Sequence, residues 1–361
     1  MKIVQMITRM DVLGGAQMHL MSLSLSLAED GHDVFILYGG KRHKGYDVQH
    51  ENITFISLVH LIHPLHAIED VKAVQEVHQR FRELQPDIIA LHSSKAGTIG
   101  RLAAKTLHIP TVFTAHGWAF TEGISRNKRR LYRLVEKGLA TQTDAIIAVS
   151  HYDANLARRA HITAKKGLYV VHNGIVGMEQ QKIVPTKNIV MVSRFQAPKR
   201  QDLVLEAFAL LRTDLNVTLT LVGDGPLKAA AEQQAIELGI AERVHFAGDQ
   251  QDVSSYLMNA SIFVLMSDFE GLPISIIEAM AVGLPIVASD VGGVHELVKP
   301  GYNGYTIRND AQELSKYLTK ILTDDKVRKI LAKQSRRLFE QSFQFRRTYQ
   351  QTIAIYEQVR C

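Results

Sequence analysis

Ile262-Phe263-Val264-Leu265-Met266-Ser267-Asp268-Phe269-Glu270-Gly271-Leu272-Pro273-Ile274-Ser275-Ile276-Ile277-Glu278-Ala279-Met280-Ala281 reads as a buried strand, a turn and a helix in immediate succession. The apolar run Ile262 to Met266 has strand length, Gly271 allows a tight turn, and Pro273 suits a first helical turn, where its missing N–H has no intrahelical partner to lose. The free N–H groups of residues 271 to 275 then point above the strand end with the helix dipole behind them, which makes an anion site. Two carboxylates bracket it, Glu270 at the mouth and Glu278 two turns down the helix. One can accept from a sugar hydroxyl and the other from a ribose. The spacing alone also fits a solvated glutamate ahead of an ordinary helix; the cations found elsewhere in the chain favour a sugar-nucleotide site.

The same alternation of strand-length apolar runs with amphipathic helical stretches extends from end to end, the pattern of parallel sheets flanked by helices. In the first half, strands are predicted at Ile3 to Ile7, Val34 to Leu37, Ile53 to Ile56, Ile88 to Leu91, Val112 to Thr114, Ala145 to Val149 and Tyr169 to Val171. In the second they recur at Ile189 to Val192, Thr218 to Val222, Val244 to Phe246, Ile262 to Met266, Ile286 to Ala288 and Gly304 to Ile307. The expected architecture is therefore α/β, with two doubly wound Rossmann-like domains. The polar segment Gly177 to Lys187 is the natural linker, which puts the first domain at residues 1–182 and the second at 183–342. A last helix, from about Phe343 onward through 361, has no strand after it and is expected to pack back on the first domain.

At 361 residues, 46% hydrophobic and 22% charged, the chain can fill two ordinary cores. No run of 18 apolar residues exists to span a membrane. The start, Met1-Lys2-Ile3-Val4-Gln5-Met6-Ile7, turns polar too soon for a signal peptide and reads as a first strand, so a cytoplasmic protein is expected. A single cysteine, Cys361, excludes an intramolecular disulfide and a cysteine metal site. Residues 1–185 hold 22 Lys/Arg against 16 Asp/Glu and so carry the whole net charge of +6; 14 of the 16 histidines also lie there. The charge skew means that the two halves meet different things.

The cations that complete the site follow the first strand of the second half, in Ser193-Arg194-Phe195-Gln196-Ala197-Pro198-Lys199-Arg200. Arg194 and Lys199 then stand at a strand's carboxyl end, where open α/β sheets bind ligands. Arg offers a planar fork to phosphate oxygens and Lys a mobile point charge, so together they can hold a diphosphate whose charge grows as it departs. In the first half, Gly14-Gly15-Ala16-Gln17 opens a long helix and lets backbone approach a ligand at its N-terminus. Thr114-Ala115-His116-Gly117-Trp118 brings His116 to the same sheet edge. Gly223-Asp224-Gly225-Pro226 begins the dinucleotide fingerprint, but Lys228 occupies the place of its third glycine, which disfavours a nicotinamide enzyme. Asp-x-Asp, the usual metal-diphosphate pair of sugar transferases, does not occur. Arg194, Lys199 and helix N-termini are expected to do a divalent ion's work, with no metal and no cofactor.

With these motifs the chain resembles, over essentially its whole length, the family 4 retaining glycosyltransferases of the GT-B fold, in which two Rossmann-like domains face each other across a cleft. The resemblance implies a transferase that moves a hexose or N-acetylhexosamine from a nucleoside-diphosphate sugar, a UDP-sugar, to a lipid-linked or polysaccharide acceptor. It implies that Glu270 contacts the donor sugar hydroxyls, Glu278 the ribose, and Arg194 and Lys199 the diphosphate. The backbone at Gly271, Leu272, Pro273 and Ile274 would assist, Gly15 would face the diphosphate, and His116 would lie by the reacting face of the sugar. Phe246, Ala247 and Gly248 would meet the base through backbone, and Gly292-Gly293 would border the donor pocket. Gln17 stands where many members carry Glu and receives no role. The family resemblance further implies retention of anomeric configuration, with the leaving phosphate as base and no enzyme nucleophile. Competing readings are a sugar-nucleotide epimerase, a phosphorylase, or an inactive transferase-like binding subunit.

Ser125 to Lys137 forms a basic amphipathic helix, with Arg126, Lys128, Arg129, Arg130 and Arg133 near its start and Leu131, Leu134, Val135 and Leu139 on one side. It is either a solvated surface helix with a packed apolar stripe or a peripheral contact with anionic lipid on the inner face of the plasma membrane. No nucleic-acid reader motif accompanies the charge, so nucleic acid is not an expected partner.

Overall fold

The computed structural model describes residues 1–121, 124–178 and 187–361. They form two compact units, one made of Met1–Asn173 with Phe345–Cys361 and the other of Gly174–Gln344. Most of the expected linker, and the expected boundary after residue 182, lie outside the described residues.

The first unit is built on seven strands: β1 (Lys2–Met10), β2 (Asp33–Arg42), β3 (Ile53–Leu58), β4 (Ile88–His92), β5 (Thr111–Ala115), β6 (Ala145–Ala148) and β7 (Leu168–Val170). All pair in parallel in the order β3-β2-β1-β4-β5-β6-β7. Because crossover helices cover both faces, the strands are apolar on both sides. Ile3 and Ile7 of β1 belong to one core with Leu20, Leu23 and Leu27 of the Gly15–Glu29 helix and Ile355, Tyr356 and Val359 of the Phe345–Arg360 helix. Val4 and Met6 face a second core with Val77 and Phe81 of the Ala67–Leu84 helix and Ile99 of the Ser94–Ala104 helix. Gln5, on the face of Ile3 and Ile7, is polar yet fully buried.

The second unit holds β8 (Asn188–Val192), β9 (Thr218–Val222), β10 (Val244–Gly248), β11 (Ile262–Leu265), β12 (Ile286–Ser289) and β13 (Gly304–Ile307). They too are parallel, in the order β10-β9-β8-β11-β12-β13. Every expected strand is present. In each sheet the order reverses beside the unit's first strand, between β1 and β4 and between β8 and β11, and such switch points are where open α/β sheets take ligands. Among the described residues no helix is long and apolar enough to cross a membrane.

Candidate functional site

In the second unit, the loops leaving β8 and β11 meet at the switch point. Lys199 bridges Ser267, the Arg200 amide donates to the Met266 carbonyl at 3.0 Å, and the Asp268 amide donates to Pro198 at 2.9 Å. This stitching brings Lys199 and Glu270 together: their side chains form an ion pair and are 16% and 11% exposed. Arg194, on the same loop, is exposed, and its guanidinium has no partner among the described residues. The carbonyl of Arg194 is held by the Gln201 amide at 2.9 Å, so the backbone is fixed while the charge stays free.

Glycines let these loops press together. Gly292, at φ +55°, lies so close to Glu270 that a Cβ there would sit 1.8 Å from the Glu270 carbonyl oxygen, and the Gly293 amide donates to that oxygen at 3.3 Å. Gly223, at φ +130°, likewise backs onto Ser193, where a Cβ would approach its carbonyl oxygen to 2.2 Å. Both positions need a left-handed or otherwise strained backbone and the missing side chain at once. The loop they shape also receives β10: the Gly223 amide donates to Gly248 at 2.8 Å, and Phe246 packs on Phe195 with ring centroids 6.1 Å apart. The Ala247 carbonyl accepts from Gln250 Nε2 at 2.8 Å.

The helix after Glu270 starts at Ile274, with Pro273 as its N-cap at ψ 118°, one position earlier than the expected first helical turn. Pro273 keeps an extended ψ, and its missing N–H costs no helical bond at either position. No side chain caps this N-terminus, and Gly271 with the buried Leu272 forms the turn that leads into it, while Ile274 is its first helical residue. Gly283, at φ +86°, ends the helix. Glu278 is partly buried inside it, and its carboxyl group accepts no hydrogen bond among the described residues. Burial, reinforced by the charge of Asp252, pushes Glu278 up to about 7.

In the first unit, Gly15 is the first residue of its helix and Gly14 the N-cap, again without a side-chain cap. The Gly14 amide donates to the Tyr46 hydroxyl at 3.3 Å, and Tyr46 donates to the Val12 carbonyl at 3.1 Å, which fixes the loop. Gln17 proves to be buried and braces this turn by donating to the Arg9 carbonyl at 3.1 Å. His116 follows β5 and His92 ends β4, and the two rings meet Nε2 to Nδ1 at 3.0 Å. His19 lies edge-on to His116, ring centroids 4.9 Å apart. Burial pulls His19 down to about 4 and His92 and His116 well below the ordinary imidazole value, so all three rings are neutral at pH 7.

On the Arg126–Ala140 helix, Arg126, Lys128, Arg130 and Arg133 are exposed and Arg129 is partly buried. The apolar side does not pack as one stripe. Leu131, Leu134 and Val135 are 57%, 69% and 40% exposed, and only Leu139 of the four is buried.

Residues 178–338 match the family model described as glycosyl transferases group 1, and residues 13–176 match the one described as glycosyltransferase family 4. The chain belongs to the family 4 glycosyltransferases. An Escherichia coli UDP-Gal:alpha-D-GlcNAc-diphosphoundecaprenol alpha-1,3-galactosyltransferase is 29% identical over 271 residues, 69% of this chain and 70% of that one. N-acetyl-alpha-D-glucosaminyl L-malate synthase of Bacillus anthracis is 27% identical over 381 residues, 99% of this chain and 98% of that one. Among solved structures, sucrose-phosphate synthase from Thermosynechococcus elongatus superimposes with a TM-score of 0.86 at 21% identity, covering 99% of both chains. The glycosyltransferase thus has two Rossmann-like domains of the GT-B type.

Sequence reasoning on this glycosyltransferase missed the residues that hold the loops. Asn309 clamps the β11 loop from β13's end: its Nδ2 donates to the Ser267 carbonyl at 3.1 Å and to Asp268 at 3.0 Å. Ser289 bridges the same pair, accepting from the Ser267 amide at 2.8 Å and donating to Asn309 Oδ1. Gln5 and His92 were missed as well. Gln5, a polar residue inside the apolar run of β1, was the one visible signal for that pair.

Proposed function

We propose that the chain transfers a hexose or N-acetylhexosamine from a UDP-sugar to a lipid-linked or polysaccharide acceptor, with retention of anomeric configuration. The observation that carries this reading is the convergence of Arg194, Lys199, Glu270 and the uncapped helix N-terminus at the switch point of the second unit. A diphosphate entering there meets the unpaired Arg194 and competes with Glu270 for Lys199. Once Lys199 turns to phosphate, the Glu270 carboxylate is released to accept from sugar hydroxyls. Glu278, without a hydrogen-bond partner, is available to a ribose. The galactosyltransferase relative supports a UDP-sugar donor and a lipid-diphosphate acceptor through its own name.

In the proposed reaction the bond from the anomeric carbon to the β-phosphate oxygen breaks, and its electron pair leaves with the diphosphate. The acceptor oxygen bonds to the same face of that carbon and gives its proton to the departing phosphate. Arg194, Lys199 and backbone N–H groups stabilise the charge that grows on the phosphate, the largest catalytic contribution in such a site. Because the chain has no Asp-x-Asp pair, activity is proposed to survive chelation.

The exposed leucines and cations of the Arg126–Ala140 helix support peripheral docking on an anionic membrane face, where a lipid-linked acceptor resides. The test is a panel of UDP- and GDP-sugars with lipid-diphosphate acceptors, following free nucleotide and the anomeric configuration of the product by NMR. Donor-dependent, acceptor-stimulated release with a retained anomer is expected. No release with any donor, or an inverted product, overturns the proposal.

A further inference from the structure

The first unit carries a hydrogen-bonded line that nothing above assigns to the reaction. Gln5, buried in mid-strand, donates from Nε2 to the Tyr356 hydroxyl at 3.4 Å and accepts at Oε1 from His92 Nε2 at 2.6 Å. His92 Nδ1 then meets His116 Nε2 at 3.0 Å. The order of protons follows from what each atom can do. An amide oxygen only accepts, so His92 Nε2 must carry the proton. In a neutral ring that makes His92 Nδ1 the acceptor, so His116 Nε2 must carry its proton, and His116 Nδ1 is left with a lone pair. That nitrogen has no partner among the described residues, and the ring, unlike those of His19 and His92, is partly exposed.

We infer that Tyr356, Gln5 and His92 act as positioning residues that lock His116 in its Nε2–H tautomer and present Nδ1 as a hydrogen-bond acceptor to a sugar hydroxyl. The inference rests on the proposed function, which makes the chain a binder of sugar hydroxyls. The orientation of one carboxamide sets the polarity of the whole line: turning the Gln5 amide over would move the proton of His92 to Nδ1 and make His116 Nδ1 a donor instead. In the observed orientation the amide N–H is taken up by the Tyr356 hydroxyl. Its own strand-distant helix, Phe345–Arg360, belongs to the first unit, so the last residues of the chain reach the first sheet's switch point. His19 packs edge-on to His116 and restrains the ring plane. The three imidazoles are close enough together to suggest a cation site, but the assigned line already uses both nitrogens at the His92–His116 contact.

The tautomers can be read in the free protein, without any turnover, from the ¹⁵N shifts of labelled histidines at pH 7. Nε2–H is expected for both His92 and His116. Gln5→Leu should mix or reverse both tautomers and lower kcat about tenfold with donor KM changed less than twofold; Gln5→Glu, which keeps an acceptor at the same place, should restore both readouts. Should Gln5→Leu fail to fold, Tyr356→Phe, which removes one hydroxyl, should give the same direction with a smaller change. An Nδ1–H tautomer at either ring in the wild type, or unchanged tautomers in these variants, overturns the inference. So does an altered tautomer with unchanged kcat. Stoichiometric zinc binding that shifts all three histidines would also overturn it, by making the cluster a metal site. Absence of transfer with every donor would sink the proposed function alone, because the ¹⁵N measurement does not depend on it.

Discussion

The two units share a sheet plan and fill it with opposite chemistry. At the switch point of the first, neutral groups line up: Gln5, His92 and His116, with imidazoles held uncharged by burial. At the switch point of the second, charges are gathered: Arg194, the Lys199–Glu270 pair, and Asp268 with Arg200. The first unit crowds five of its cations near the start of one exterior helix, and the charges closest to its own switch point, Arg9 and Lys95, are paired with Asp11 and Asp70. The difference teaches that strand order marks where a ligand site can form, and that the side chains placed there decide what it can hold. A charged edge suits a phosphate; a neutral, directional edge suits hydroxyls.

The largest expected effect lies at the charged edge. Arg194→Ala and Lys199→Ala should each lower turnover by ~100-fold or more, because each removes a cation that pairs better with the departing phosphate than with the bound donor. Nucleotide-release kinetics at saturating donor measure this. Near-normal rates in both variants would erase the contrast between the units.

Stability separates the same two residues. Arg194 is exposed and unpaired, so its loss should leave the urea midpoint almost unchanged. Lys199 is largely buried against Glu270. Removing either partner strands the other charge, at a cost of about 2–3 kcal/mol in this partly dry setting. The Lys199→Met, Glu270→Gln double variant should recover much of that loss, and a double variant no more stable than the worse single one would mean that the pair is not coupled.

Titration should run in opposite directions in the two units. His19 falls from 6.5 to about 4 on folding, so the unfolded chain binds the proton first. The stability this contributes is complete above pH 6.5 and is lost as pH falls toward 4, up to about 3 kcal/mol. Glu278 rises from 4.5 to about 7. The folded state therefore keeps its proton longer, and stability present below pH 4.5 is lost as pH climbs to 7, by about 2 kcal/mol once partial exposure is discounted. Urea midpoints across pH 4 to 8 check both: His19→Phe should flatten the acid limb, and Glu278→Gln should stabilise the protein at pH 8. A shared direction for the two variants would break the comparison.

What was legible in the sequence divides along the same line. All thirteen strands among the described residues could be read, because parallel strands covered on both faces are continuous apolar runs and alternate with helical periods. The charged edge was legible too, since Arg194, Lys199, Glu270 and Glu278 sit at fixed spacings beside strand ends. The neutral edge was not. Gln5, His92 and Tyr356 lie 87 and 351 residues apart along their hydrogen bonds, and only the sheet order brings them together. Asn309 and Ser289, which clamp the β11 loop, were hidden for the same reason. The apolar side of the basic helix was misjudged in its packed alternative, because periodicity reports which residues share a face and says nothing of what covers it.

That helix supplies the smallest effect. Leu131, Leu134 and Val135 stand exposed beside Arg126, Lys128, Arg130 and Arg133, an arrangement suited to the boundary between headgroups and acyl chains. A basic residue near an anionic surface adds on the order of 1 kcal/mol, so Arg130→Gln should weaken binding to phosphatidylserine-containing vesicles by about fivefold. The attraction is screened beyond about 10 Å at 0.1 M salt, so the gap between wild type and variant should narrow as salt rises. Leu134→Ser should weaken binding at every salt concentration, because burial of apolar surface is not screened. If vesicle sedimentation shows neither change while donor binding is intact, the helix is a solvated face, and the cations of the first unit serve no surface that those of the second do not.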